Sequence, residues 1–322
     1  MLIIGCGELG SRFLQAAVSQ DHISQIDIVE PGEKARETAT KRMLEVGRDM
    51  STLTVNWHTD ISSCPSSGGM AVIATQSDVR LSVFEKALAA GYRYFLIEKI
   101  VTQSADDYQQ IMALAQKHDA KVWVNCKTRN YPVWQYIKSK ISPSEKLVYH
   151  SIGGNHGLCT NGLHTIDLFV FLTEANKINI TENRLDPKLY LTKRAKYDVS
   201  GQLQIENDSN KSTLLLNYEA GHQQMPTELL MTENYRWIID NSSRQAFESS
   251  VIEKIPLTPI LFEGDVSVSV MSKKFISDIL LNKTCELPTL EDCWLAHKTV
   301  FEATLPLFNQ LLNKTDDFCP IT

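Results

Sequence analysis

Three apolar residues, Leu2, Ile3 and Ile4, run directly into Gly5-Cys6-Gly7-Glu8-Leu9-Gly10, and the next apolar run, Ile26-Asp27-Ile28-Val29, closes on Glu30. Few folds accommodate a buried strand, a G-x-G-x-x-G turn opening an amphipathic helix and an acid about 20 residues on. Each part has a physical task. Gly5 permits the tight turn, Gly7 lets the backbone approach a pyrophosphate, Gly10 lets the helix pack closely on the strand, and the N–H groups of the helix start face an anion. Three glycines alone are weak evidence, because a glycine-rich turn before a helix is often purely structural. Strand, helix and acid together imply a bound dinucleotide. Glu8 and Leu9 in the loop, and Ala74, Thr75 and Glu98 at the carboxyl ends of later strands, are its further expected contacts. Glu30 accepts hydrogen bonds from a ribose diol and repels a 2′-phosphate, so NAD is preferred over NADP, although Lys34 and Arg36 close behind weaken that preference.

Beyond Glu30 the pattern alternates strand and helix, as a parallel sheet with crossover helices requires. Residues 33–46 read as a helix, 53–57 as a strand, the Ser-, Pro- and Gly-rich 62–69 as a loop and 70–74 as a buried strand. Residues 78–90 are amphipathic and end at Gly91, and 94–97 is a strand leading into Glu98-Lys99. A helix at 104–118 follows, with Ser104 as N-cap and Asp106 and Asp107 in its first turn, and then a sixth strand at 121–125. Residues 1–126 thus read as a Rossmann domain with a doubly wound parallel sheet, in a chain of α/β class. Residues 127–322 read differently. Helices at 132–141 and 162–172 flank a strand at 146–152, and short β-type runs recur without crossovers at 201–206, 212–218, 228–232 and 236–240. They imply an α+β domain with an open, largely antiparallel sheet, one face wet and one packed on helices. Helices at 266–281 and 290–312 close it, with the last left open to pack back on the first domain. The first strand has only residues 1–4 before the turn, against a typical five or six. Either it is short or the natural start lies upstream.

A chain of 322 residues provides for two domains, each with its own core. Its net charge of -6 gives no electrostatic reason to expect nucleic acid or an anionic membrane as partner, while local basic pockets for a phosphorylated substrate remain compatible with it. No stretch approaches the roughly 20 apolar residues of a membrane span, and residues 1–10 belong to the fold rather than to a leader. The seven cysteines (Cys6, Cys64, Cys126, Cys159, Cys285, Cys293, Cys319) are scattered and lack a C-x-x-C pair. That pattern suits reduced thiols in a cytoplasmic protein, and with no recurrent metal-ligand spacing no metal is expected.

Several motifs together resemble one family. Gly5-x-Gly7-x-x-Gly10 with Glu30, Glu98-Lys99 after the fifth strand, Asn161-Gly162-Leu163-His164-Thr165-Ile166-Asp167 opening a helix, and the closing Glu286-Leu287-Pro288-Thr289-Leu290-Glu291-Asp292 are similar to the glucose-fructose oxidoreductase, inositol dehydrogenase and MocA (Gfo/Idh/MocA) family. The resemblance covers essentially the whole chain. It implies a Rossmann domain plus an open-faced sheet domain, a sugar, cyclitol or nucleotide sugar held between them, and NAD(P)-dependent hydride transfer at a secondary alcohol or ketone. It also implies a homodimer or homotetramer formed through the exposed sheet face. The loop from Gly153 to Asn161 resembles relatives of surface-polysaccharide and nonulosonic-acid pathways, which makes a nucleotide-linked or acidic sugar the first expectation. Two departures stand out. Ile100 replaces the proline of the usual Glu-Lys-Pro, and because a cis peptide is costly before isoleucine a rearranged Lys99 backbone is expected. Thr160 stands where many relatives place an aspartate four residues before the histidine; it can bond a sugar hydroxyl but supplies no carboxylate.

Oxidising a secondary alcohol removes a hydroxyl proton as hydride leaves the same carbon. An imidazole titrates near neutrality and suits the general base, a contribution of about 10²–10⁴-fold. His164 is assigned that role and Lys99 the orienting and electrostatic one, with exchanged roles as the alternative. Asp167, three residues on from His164, binds substrate or orients the imidazole. Past the sixth strand cluster Asn125, Lys127, Arg129, Asn130 and Tyr131. Arg129 suits a bidentate clamp on a carboxylate or phosphate and Tyr131 suits ring stacking, while hinge packing accounts for them equally. His156 and Asn155 in the glycine loop, with Thr160 and Asn161, complete the substrate-binding set. The bland readings are a solvated Glu98-Lys99 pair, a structural His164, and Asp167 as a first-turn acid complementing a helix dipole. The competing class of function is a non-catalytic dinucleotide-binding sensor or assembly protein, which Ile100 and Thr160 motivate.

Overall fold

The computed structural model describes residues 1–65, 69–154 and 157–322. The chain divides into two compact units, one of Met1–Thr102, Asp106–Cys126 and Asp265–Asp292, the other of Gln103–Ala105, Lys127–Gly264 and Cys293–Thr322.

In the first unit, strands β1 (Leu2–Ile4), β2 (Gln25–Val29), β3 (Thr54–His58), β4 (Met70–Ile73), β5 (Tyr94–Ile97) and β6 (Lys121–Val124) alternate with helices α1 (Gly10–Val18), α2 (Glu33–Leu44), α3 (Arg80–Ala89) and α4 (Ala105–Lys117). The order is β3-β2-β1-β4-β5-β6, every neighbouring pair being parallel, which is the doubly wound arrangement expected. The order reverses direction beside β1, so the crevice at the carboxyl ends of β1 and β4 is where such sheets take ligands. β1 is three residues long and wholly buried, with β2 and β4 paired to it on both sides (Leu2 with Asp27 and Ala71).

The second unit carries α5 (Pro132–Lys140), β7 (Val148–Gly154), α6 (Gly162–Thr173), β8 (Ile178–Leu185), the short hairpin β9 (Tyr190–Leu191) and β10 (Tyr197–Asp198), and then β11 (Gly201–Asn207), β12 (Thr213–Glu219), β13 (Thr227–Met231), β14 (Tyr235–Asp240), β15 (Gln245–Ser250) and β16 (Ile255–Ile260). Eight of these strands form one sheet, β16-β15-β14-β13-β7-β12-β11-β8, antiparallel except where β12 meets β7. The alternation is regular: Leu203, Ile205, Leu214, Leu216, Leu230 and Trp237 are buried on one face, and α6 packs there, with the Gly162 position 3.5 Å from Leu216 and Tyr218. The edge strand β16 holds Pro256 and Pro259, which block further pairing.

One expectation needs correction. The stretch after residue 126, its last helix aside, was expected in the second domain, yet Asp265–Asp292 packs in the first unit. The cause is helix α7 (Val268–Ser277), which buries Phe275 and Ile276 in the same core as Phe13, Leu14 and Ala17 of α1. The final helix, α8 (Leu290–Leu312), has the bounds the sequence pattern suggests. No helix among the described residues is long and apolar enough to cross a membrane, and all seven cysteines are free thiols.

Candidate functional site

The three loop glycines do different work. Gly5 has φ 81°, and a Cβ there would lie 2.8 Å from the Thr75 amide; a Cβ at Gly10 would lie 1.9 Å from the Gly5 carbonyl oxygen, whereas one at Gly7 would meet nothing within 4 Å. Gly5 and Gly10 therefore let β1, α1 and the end of β4 close on one another, and Gly7 leaves open space above the turn. Leu9 occupies the N-cap position of α1 and offers no side-chain oxygen, so an anion is the natural complement of this helix start. At the end of β4, Ala74 donates its amide to Ile4 at 2.8 Å, and the Thr75 hydroxyl oxygen is buried without a hydrogen-bond partner. An orphaned hydroxyl at the end of β4 is a group that a polar ligand in this crevice would satisfy.

Glu30 has two tasks. Its Oε2 accepts from the Cys6 amide at 2.8 Å and its Oε1 from the Gly32 amide at 2.9 Å, so the carboxylate braces the loop while its remaining lone pairs stay capable of accepting from a diol. Burial, reinforced by the charge of Glu30, pushes the Cys6 thiol up to about 12, which makes it a core residue rather than a nucleophile. Arg36 is a brace as well, donating to the carbonyls of Glu30 and His58. Glu8 pairs with Arg42 of α2, which also donates to the Glu8 carbonyl at 2.8 Å and to Ser11 Oγ at 2.6 Å.

After β5, Glu98 is buried and accepts from Asn125 Nδ2 at 2.7 Å. The expected rearrangement at Lys99 is not found: the Lys99–Ile100 peptide is cis, and buried Arg80, at the start of α3, donates to the carbonyls of Glu98 and Ile100 on either side of Lys99 and to Thr75. The sequence reading missed Arg80. Its one signal was a cation in the first turn of a helix, against the dipole, a position that needs a compensating partner.

In the second unit, Asn161 caps α6 through its backbone and half-buried His164 sits in the first turn, its amide donating to the Asn161 carbonyl at 2.9 Å. The carboxylate absent at Thr160 arrives from β10. Asp198 accepts from the amides of Cys159 at 2.8 Å, Thr160 at 3.2 Å and Val199 at 2.9 Å, and from the Thr160 hydroxyl. Burial still raises its carboxyl above the usual range against those bonds. Thr160 thus anchors a loop, where a contact to a sugar hydroxyl was expected. Thr160 and Asn161 line a cavity of about 430 Å³ together with Tyr190, Thr192 and Lys193 of the β9–β10 hairpin, residues that carried no sequence signal.

The structure brings Arg129 and Asp167 together, in line with the packing alternative. The guanidinium clamps Asp167 bidentately, Nε to Oδ2 at 3.0 Å and Nη2 to Oδ1 at 2.5 Å, and Cys293 Sγ lies 3.4 Å from Oδ1. Both partners are buried, so the fork assigned to a substrate anion holds α6 to the segment after β6. Tyr131, expected to stack on a ring, accepts from Lys127 Nζ at 2.5 Å. Asn155 and His156 lie outside the described residues.

Residues 1–126 match the sequence model of the Gfo/Idh/MocA family, an oxidoreductase family with an NAD-binding Rossmann fold, in agreement with the motifs. No curated protein matches the sequence. Among solved structures, UDP-N-acetylglucosamine 3-dehydrogenase GnnA from Acidithiobacillus ferrooxidans is similar at TM-score 0.73 and 12% identity over 94% of this chain and 96% of that one. KijD10, a 3-ketoreductase from Actinomadura kijaniata in complex with TDP-benzene and NADP, gives 0.69 at 13% identity over 93% and 94%. Biliverdin reductase from Synechocystis, in complex with biliverdin and NADP+, gives 0.70 at 14% identity over 94% and 98%. Identities this low establish the fold alone, and that fold carries both sugar and tetrapyrrole chemistry.

Because the clamp is buried, Asp167→Ala leaves an uncompensated guanidinium and lowers stability by about 3–5 kcal/mol in denaturant unfolding. The double variant Arg129→Met/Asp167→Leu recovers most of that loss. A single variant as stable as the parent contradicts the assignment.

Proposed function

We propose that this chain, whose first domain belongs to the Gfo/Idh/MocA oxidoreductase family, is a dehydrogenase or reductase acting at a secondary alcohol or ketone of a sugar-type substrate, with NAD preferred over NADP. The observation that carries the reading is the glycine crevice, with open space at Gly7, an uncapped helix start, and the orphaned Thr75 hydroxyl at the carboxyl end of β4. Glu30 favours NAD, and Arg36, engaged with two carbonyls, is a poor candidate for gripping a 2′-phosphate.

When bound, the nicotinamide supplies the hydride acceptor or donor. His164 takes the hydroxyl proton in the oxidising direction and returns it in the reducing one. Lys99 directs its ammonium to the reacting oxygen and stabilises developing alkoxide charge, its backbone held by Arg80. The cavity at Thr160 and Asn161 supports a polar, anionic substrate: Lys193 offers a cation, Tyr190 a ring face, and Thr192 a hydroxyl. A nucleotide-linked or acidic sugar fits that chemistry, and two of the structural neighbours are named for nucleotide-sugar or keto-group chemistry. The alternative is a non-catalytic dinucleotide-binding protein, since the Asp198 carboxylate beside Thr160 is buried and engaged by the loop it anchors.

We further infer a homodimer or homotetramer formed through the open sheet face, where Leu215, Leu229, Ile238 and Phe247 are aligned in register across the strands on the side away from α6. In light scattering, Phe247→Asp dissociates the oligomer; an assembly unaffected by this change contradicts the interface.

The reaction is tested by following NADH with a panel of sugars, uronic acids and nucleotide sugars. Lys99→Ala and His164→Ala are each expected to lower kcat by about 10²-fold or more. Turnover unchanged in both variants removes the mechanism, and tight NAD binding without hydride exchange for any substrate favours the binding protein.

A further inference from the structure

The buried face of the second sheet holds a carboxylate that the reaction described above does not use. Glu228 of β13 is 5% exposed and stands directly opposite Ser151 of β7. Asn241 Nδ2 donates to its Oε1 at 3.0 Å, and the hydroxyls of Ser151 and Tyr149 face it as further donors, although Oε2 and the Tyr149 oxygen lack a well-formed hydrogen bond. From Ser151 a chain of hydroxyls runs to α6: Ser151 Oγ to Tyr218 Oη at 2.9 Å, and Tyr218 Oη to Thr165 Oγ1 at 3.0 Å. Thr165 follows His164 in the first turn of the helix.

The groups facing Glu228 are Tyr149 and Ser151 from β7, Tyr218 from β12, with Thr165 of α6 behind it, and Asn241 after β14. All are neutral donors near pH 7, and burial holds both tyrosines above their usual range. Burial likewise pushes the Glu228 carboxyl up to about 7, against the opposing hydrogen bonds. Each hydroxyl has one proton to donate, so the direction of donation belongs to the chain as a whole. An ionised Glu228 takes the Ser151 proton, Ser151 then accepts from Tyr218, and Tyr218 accepts from Thr165. A protonated Glu228 is itself a donor, the chain is free to reverse, and the Thr165 proton turns to the carbonyl four residues back, that of Asn161.

We propose that Glu228 is a positioning residue: through Ser151, Tyr218 and Thr165 its charge state sets the hydrogen bonding of the first turn of α6 and so the placement of His164, which couples that histidine to proton concentration. The proton is exchanged with solvent and no other reactant is needed. The functional consequence rests on the role assigned to His164 above; the structural coupling does not.

The test therefore has two arms, both on the full chain. In the first, the imidazole of His164 is followed by NMR with labelled histidine from about pH 5 to 9. Besides the titration of the imidazole itself, the parent shows a second inflection near pH 7 that disappears in Glu228→Gln and Thr165→Val and persists in Thr165→Ser, which keeps the hydroxyl and controls for folding. A second inflection that survives Glu228→Gln, or a parent with a single-site titration, overturns the proposal. In the second arm, the pH profile of kcat loses the same step in Glu228→Gln while KM for NAD stays unchanged; a profile of parental shape contradicts it, and an enzyme inactive toward every substrate leaves the first arm to decide. Stability gives a further check. A carboxyl raised by folding favours the native state below its unfolded value, and that contribution is lost as pH rises toward 7. The melting temperature of the parent therefore falls relative to Glu228→Gln between about pH 4.5 and 7, and a constant difference contradicts an ionising buried carboxylate.

Discussion

The architecture of the first unit depends on one close approach. With the Gly5 carbonyl only 1.9 Å from where a Cβ at position 10 would stand, the first turn of α1 lies directly on the end of β1, and no other residue type permits it. That contact fixes where the helix starts, and hence where its positive dipole end points. β1 is held on both sides by parallel neighbours and from above by the helix it feeds. Glu30 and Arg42, from the next strand and helix, then tie the loop down from outside.

The second unit is organised by buried carboxylates rather than by glycines. Asp198 gathers three amides and a hydroxyl ahead of α6, Asp167 on α6 is clamped by Arg129, and Glu228 ends a hydroxyl chain that reaches the same helix. An ionised or partly ionised group in a low-dielectric interior is costly unless its acceptor positions are filled, so each of these sites tolerates little displacement. Helix α6 is thereby fixed at its approach, along its length and at its first turn.

Local signals made much of this legible in the sequence. The glycine loop, the acid closing β2, β5 at 94–97 and α8 at 290–312 are each encoded within a few neighbouring residues, as spacing, periodicity or a cap. Pairings across long stretches of chain were not legible. Thr160 and Asp198, like Arg129 and Asp167, are 38 residues apart, and nothing near either partner announces the other. The sequence therefore offered substrate contact and packing as equal readings of the Arg129 cluster, and the bonds between these polar residues were not visible in it. β8 escaped notice for a related reason: an edge strand with partly exposed residues on both faces, INITENRL, lacks the clean alternation that marks a half-buried strand. Helix α7 was recognised but not its partner, since an apolar stripe does not say which core it joins.

The central claim is that the crevice at the end of β1 takes a dinucleotide, and Gly7 offers the most direct measurement of it. A Cβ at this position meets no protein atom within 4 Å, so Gly7→Val is expected to fold with the melting temperature of the parent while filling the space above the turn. Titration calorimetry of NAD is predicted to show binding to the parent and a loss of about tenfold or more, at least about 1.4 kcal/mol, in the variant. A Gly7→Val protein that binds NAD as tightly as the parent would contradict the account.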